Sequence, residues 1–257
     1  MNKRLDRRRL LAVGGALALL GLEARALSVT PATKQTLSVG FVIDLIPFVL
    51  NKDRGVFPDI TREALRRLSY QMKAFNFPSR QFDFDPLARF ADLDLFVGTP
   101  AEHRTDYHYA KIYEFSNVAV SLASSRLKID SVADLSGKDI VAFNNAGLHL
   151  KQPFTALYER ELKHSSLYHE VENQAAQFQM LLDKRTQVII LDRAMVRFYA
   201  AQAGIQALAG LVMHEIFPLT NAVYVAGREA ALMSRIENTV GDMVRDGTVR
   251  KIVALYE

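Results

Sequence analysis

Cysteine is absent from all 257 residues. Within them neither a disulfide, nor a thiolate metal ligand, nor a lipid on a cysteine is expected, and stability has to come from the packed core. Repeats, low-complexity tracts and Gly/Ser linkers are also missing, so two lobes, if present, are joined by ordered crossing segments. There is no Walker A loop, no G-x-S-x-G turn and no G-x-G-x-x-G; Gly14-Gly15 falls in the N-terminal apolar stretch. The histidines offer no metal site. His103/His108 and His164/His169 are five apart, Glu161 lies three before His164, and no pair has the i, i+4 spacing of H-E-x-x-H. Asp83, Asp85, Asp92 and Asp94 form no calcium-loop pattern. No metal and no cofactor are expected.

What is present begins with MNKRLDRRRLLAVGGALALLGLEARALS: a basic start, an apolar stretch from Leu10 to Leu22, and the A-x-A site Ala24-Arg25-Ala26. These are the parts of an export signal, with cleavage expected after Ala26. The apolar stretch falls short of the roughly 20 residues of a bilayer-spanning helix. Asp6 to Leu11 fits a twin-arginine signal and an ordinary basic start equally well. Residues 1–26 carry six Lys or Arg against two Asp or Glu, so of the 32 basic and 28 acidic residues 26 of each remain. The sequence pI of about 9.2 therefore reports the leader, and nucleic-acid and membrane-surface readings are set aside. The expectation is a neutral monomer, free in a periplasm.

Apolar residues make up 49% of the chain, ample for one large domain or two lobes. TLSVGFV (36–42) reads as a buried strand, and PDITREALRRL (58–68) places Ile60, Ala64, Leu65 and Leu68 on one helical face. QMKAFNF (71–77) and LDLFVG (93–98) read as further strands. The pattern restarts after NVAVSLAS (117–124), with a helical turn at SVADL, strand KDIVAF (138–143), a long amphipathic segment over 147–163 and SLYHEVE (166–172). Helix AQFQMLLDK (176–184), strand QVIIL (187–191) and helix AMVRFYAAQAG (194–204) follow. After NAVYVAG (221–227), Ile236, Val240, Met243 and Val244 stripe a helix ending at Asp246-Gly247, and Thr248 is expected to cap a last one. Strands alternating with helices predict α/β units with mostly parallel sheets covered by helices.

Six segments in order, LSVGFVIDLIPFVL (37–50), GVFPDITREAL (55–65), LDLFVGTPAEHR with HYAKIY (93–113), VADLSGKDIVAF (132–143), MLLDKRTQVIILDRAMVRFY (180–199) and DGTVRKIVALY (246–256), resemble the bacterial extracellular solute-binding proteins of family 3. The resemblance implies the two-lobed type II periplasmic-binding fold with a hinge between lobes. Residues 27–118 with 217–257 would form lobe 1. Residues 119–216 would form lobe 2, inserted between crossings near Asn117–Ser124 and His214–Tyr224.

Ligands of open α/β sheets gather outside the carboxyl ends of the strands. Gly98 there permits close backbone approach, Thr99 supplies a hydroxyl and an N–H, and Arg104 a planar fork suited to a carboxylate. The resemblance implies that Thr99 and Arg104 grip an α-carboxylate, whereas the residues alone also allow a solvated Arg104 beside Glu102 and Asp106. Asp192 ends the apolar strand QVIIL; by resemblance it takes the ligand's ammonium, and as a residue type it caps the helix starting at Arg193. The loop Phe143 to Gly147 offers N–H groups to an anion, or is a plain Asn-rich turn. Where the family has Gly then Ser or Thr, this chain has Asn145-Ala146. Leu45 stands where the family places an aromatic residue, and Ala101 replaces a second threonine.

The expected function is a non-catalytic receptor that captures a small carboxylate-bearing solute, an amino acid or relative, between the lobes for an ABC importer and its inner-membrane permease. Two alternatives share the fold: a periplasmic enzyme like the cyclohexadienyl dehydratases with Glu102 as the acid, and a sensing subunit for a membrane signalling protein.

Overall fold

Period-two alternation decides which side of each strand is buried, and it sorts the apolar residues onto the faces of two sheets. The computed structural model describes residues 35–43, 45–51, 53–77, 86–98, 105–204 and 208–257, all within one compact unit over 34–257. The proposed leader, residues 1–26, lies outside the described residues, as do Thr99, Ala101, Glu102 and Arg104.

The first sheet contains β1 (Thr36–Val42), β2 (Gln71–Phe77), β3 (Leu95–Gly98), β4 (His108–Phe115) and β10 (Thr220–Gly227), in the order β2-β1-β3-β10-β4. The second contains β5 (Asn117–Leu122), β6 (Ile140–Phe143), β7 (Tyr168–Val171), β8 (Val188–Asp192) and β9 (Leu211–His214), in the order β7-β6-β8-β5-β9. In each sheet three adjacent strands are parallel and the fourth in the order runs antiparallel to both of its neighbours.

Leu37, Val39 and Phe41 of β1 face the main core with Leu95 and Val97 of β3 and Val223 and Val225 of β10. On the other side of β1, Gly40 faces Phe77 and Phe96; a Cβ there would meet the Phe77 ring at 2.7 Å. In the second sheet Val118, Val120, Val141, Ile189 and Leu191 join that same core. Ala119, Ile140, Ala142, Val188 and Ile190 face a separate cluster with Leu150 and Phe154. Central β8 is buried along its whole length, as a parallel strand covered on both faces must be.

The helices are α1 (Val56–Arg67), α2 (Pro86–Arg89), α3 (Ala146–His149), α4 (Phe154–Arg160), α5 (Gln174–Leu182), α6 (Arg193–Ala203), α7 (Ala230–Arg245) and α8 (Thr248–Ala254). Buried Gln177 fastens α5 to the second sheet, its Nε2 donating to the carbonyls of Val141 (2.7 Å) and Ile190 (3.0 Å). Tyr256, just beyond α8, is tied to the start of α1: the Gly55 N–H donates to its hydroxyl at 3.0 Å, and that hydroxyl donates to Asp59.

The structure departs from the sequence reading at four places. The amphipathic segment 147–163 is broken into α3, α4 and a 3-10 turn over Leu162–His164, because Pro153 has no N–H to continue the ladder from α3. Thr248 is the first residue of α8 rather than its cap; Gly247 precedes it at φ 78°, and the Thr248 N–H donates to Asp246 at 2.9 Å. Val244 points to solvent, 60% exposed, and the buried stripe of α7 instead includes Leu232, Met233 and Thr239. Strands β4 and β9, unforeseen, line the passages between sheets. One passage is the single residue Ser116, between β4 and β5; the other is 215–219, between β9 and β10.

Candidate functional site

The carboxyl ends of β1, β6, β7 and β8 converge on a cavity of about 880 Å3. From the first sheet come Val42 and the turn after it, with Ile43, Leu45 and Ile46, together with Phe115 and Asn221. From the second come Phe143 and Asn144 after β6, Glu172 to Ala175 after β7, and Leu191 and Asp192 of β8, with Met195 and Tyr199 of α6 behind them. A smaller recess of about 250 Å3 shares Val42, Leu45 and His149 with it and ends at Val97 and Gly98.

Asp192 is the most constrained ionisable group of the cavity. It is 3% exposed, caps α6 by accepting from the Ala194 N–H at 2.8 Å, and accepts from the Ser116 N–H at 2.7 Å. Burial pushes its carboxyl up to about 7, against the opposing pull of the backbone N–H groups of Ala194, Ser116 and Met195 and the charge of Arg193. The acid is therefore poised: a cation brought to it restores the charged form that burial penalises. Nearby Tyr113 is also held protonated, its phenol raised by burial and by the carboxylates of Asp192 and Glu257.

The turn between β6 and α3 is already satisfied from within. Glu170 accepts from the N–H groups of Asn145 (2.7 Å) and Gly147 (3.3 Å) and from the Tyr168 hydroxyl (2.7 Å). Two of the N–H groups expected to meet a ligand's anion thus donate to the chain's own carboxylate. Asn145 sits at φ 61° with its side chain exposed, Ala146 is buried, and neither lines the cavity. One turn on, His149 does line it. It packs against the Phe143 ring at 6.4 Å between centroids, and burial lowers its pKa while Glu170 opposes that shift.

Of the residues singled out from the sequence, Asp192 and Leu45 line the main cavity and Gly98 the recess, while Asn145 and Ala146 stand behind the wall. Leu45 is half-buried and bridges to Val49, so it both packs and faces the opening. Thr99 and Arg104, one and six residues after Gly98, lie outside the described residues. Asn144, within the loop Phe143 to Gly147 singled out from the sequence, does line the cavity, whereas His149 and Glu172 escaped the sequence reading. Glu172 had a signal: it is the first residue after β7, the place where α/β sheets carry ligand groups. Among the described residues no group of three or more His, Asp or Glu is placed to hold a metal ion, and no helix is long and apolar enough to cross a membrane.

No protein-family model and no curated protein sequence matches the chain. Solved structures do. The ligand-binding core of GluR0 in complex with L-glutamate aligns with TM-score 0.64 and 16% identity, covering 86% of this chain and 98% of that one. An ancestral cationic amino-acid solute-binding protein aligns with TM-score 0.65 and 18% identity, covering 86% and 95%. A substrate-binding protein of an ABC uptake transporter from Streptococcus pneumoniae, with bound histidine, aligns with TM-score 0.59 and 18% identity, covering 86% and 92%. The chain has the two-lobed type II periplasmic-binding fold, with two five-stranded sheets flanked by helices, and these neighbours are binding proteins.

Proposed function

We propose that this chain is a non-catalytic receptor that captures a small amino acid or related zwitterion in the cavity between its two sheets and presents it to an ABC importer. The observation that carries the reading is Asp192: a buried carboxyl at the end of β8, lining the cavity, with backbone donors and, among the described residues, no cation against it beyond the charge of adjacent Arg193. A ligand ammonium would complete it. Thr99 and Arg104, continuing from Gly98 at the end of β3, would grip the carboxylate from the first lobe. An acid in one lobe and a base in the other, bridged by one zwitterion, would favour the closed form because only that form satisfies both charges. In this reading lobe 1 comprises 27–118 and 217–257, lobe 2 comprises 119–216, and residues 1–26 direct export to the periplasm. The amino-acid ligands of the structural neighbours and their service to uptake transporters support the same assignment.

The test is thermal unfolding of the purified chain against a panel of amino acids, keto acids and dicarboxylates. A ligand at about 100 times its Kd stabilises the native state by roughly 2.7 kcal/mol. For a chain of this size that raises the Tm by roughly 5–11 °C. Arg104→Ala is expected to abolish the shift. A variant that responds to every ligand of the wild type removes the carboxylate clamp from the account, and no response across the panel removes the receptor assignment.

A further inference from the structure

Strands β7, β6 and β8 are adjacent and parallel, with Phe143 level with Val171 and Ala142 level with Ile190. Carried past its last pairs, that register sets Glu172, Asn144 and Asp192 at a common level on the cavity wall, one residue beyond Val171 and Phe143 and two beyond Ile190. Neighbouring strands are about 4.8 Å apart, so the backbones at Glu172 and Asp192 are separated by about 10 Å, with Asn144 between them. Unlike Glu170 two residues earlier, Glu172 is exposed. It has no hydrogen-bond or ion-pair partner among the described residues, and it lines the cavity. No lysine or arginine is found among the described lining residues.

We propose that the ligand carries a second cationic group besides its ammonium, a basic amino acid in chemical class, and that Glu172 receives that group. The inference rests on the reading of the cavity as an amino-acid site and follows from its charge count. In that reading the zwitterion's own charges are met by Asp192 and by the first lobe, which would leave Glu172 uncompensated once closure shields it from water. Burying an unpaired carboxylate is costly. A neutral side chain leaves that cost in place, an acidic one adds repulsion, and a cationic one removes it. The gap suits a stem of about three or four methylenes, whose apolar surface can lie along Val42, Ile43, Leu45 and Ile46 while the charged end stays among polar groups. Asn144 between the acids and Gln174 beside Glu172 add amide oxygens able to accept from the same cation.

The experiment is calorimetric titration of the full chain and of Glu172→Gln with two pairs of probes, L-arginine against its neutral near-isostere L-citrulline and L-lysine against L-norleucine, with L-glutamate added. The wild type is expected to bind at least one basic member about tenfold or more tighter than its neutral partner, the worth of one charge-assisted hydrogen bond shielded from water. Glu172→Gln is expected to erase that preference, weakening the basic member and leaving the neutral member bound at least as tightly as by the wild type, since the cost of shielding a bare carboxylate is removed with the charge; because the side chain is exposed, the unliganded Tm is expected to stay unchanged. Equal or tighter binding of the neutral probes or of glutamate, or an equal loss for both members of a pair, overturns the role of Glu172 and leaves the receptor reading standing. Binding of no amino acid at all overturns both.

Discussion

Asp192 joins three tasks in one carboxyl: it caps α6, accepts from the Ser116 N–H and faces the cavity. Its raised pKa gives pH dependence with a definite sign. The unfolded chain releases the proton near the ordinary value of 3.8, and the folded chain holds it up to about pH 7. Within that window the folded state binds the extra proton, so stability falls as pH rises through it and stays at the lower level above. Asp192→Asn preserves a capping side chain. It should match the wild type below pH 4 and exceed it at pH 8 by about 2–4 kcal/mol, given 1.36 kcal/mol per pH decade, as read by denaturant unfolding at the two pH values. A cation at Asp192 restores its charge, so ligand uptake near pH 6.5 should release a proton. Calorimetry in buffers of different ionisation enthalpy measures it, and equal heats in all buffers would remove Asp192 from the site. Asp192 was legible in the sequence because a carboxylate ending a run such as QVIIL needs a reason. Glu172 and His149 were not: each looked like one more polar residue near a turn until the register of β6 and β7 and the short helix α3 brought them to one cavity.

Element by element, strong periodicity was the reliable signal. Strand β1, helix α1 and strand β8 bury the residues their spacing implies. Strands β4 and β9 were not anticipated because they lie at sheet edges and bury few side chains; of HYAKIYEF only Ala110 and Ile112 are fully buried. The segment 147–163 kept its apolar face through a change of helix, which periodicity alone does not register. Between elements, Gly55 is decisive. It enters α1 at φ 135°, where a Cβ would come within 2.5 Å of the Phe48 carbonyl oxygen, and its N–H holds Tyr256. Gly55→Ala combines a disfavoured backbone with a clash against main chain. It should cost about 2 kcal/mol or more in denaturant unfolding, whereas Gly137→Ala, at φ 69° with open space around it, should cost about 1 kcal/mol.

For the whole molecule, the sheets are connected by one very short passage and one longer one, Ser116 and residues 215–219. Arg193 of α6 pairs with Glu215, the first residue of the longer passage, at 2.8 Å, and Arg197 pairs with Glu257 at 2.8 Å. If closure about these passages accompanies binding, X-ray scattering should record a smaller radius of gyration on adding a ligand found by thermal shift, and Arg104→Ala should show no contraction at the same concentration. An unchanged radius with a bound ligand would mean that capture is complete within one lobe.

Ser116 is held from both sides by the same pair of residues: its N–H donates to the Asp192 carboxylate at 2.7 Å, and its carbonyl accepts from the Arg193 N–H at 2.9 Å. The shortest link between the halves is thereby fastened to the group that would recognise the ligand's amine. If Asp192 is the amine's partner and Ser116 the pivot, detection and movement would share atoms. A substitution that retunes what Asp192 accepts would then also reset the pivot, so selectivity and responsiveness in this protein should evolve together rather than as separate traits.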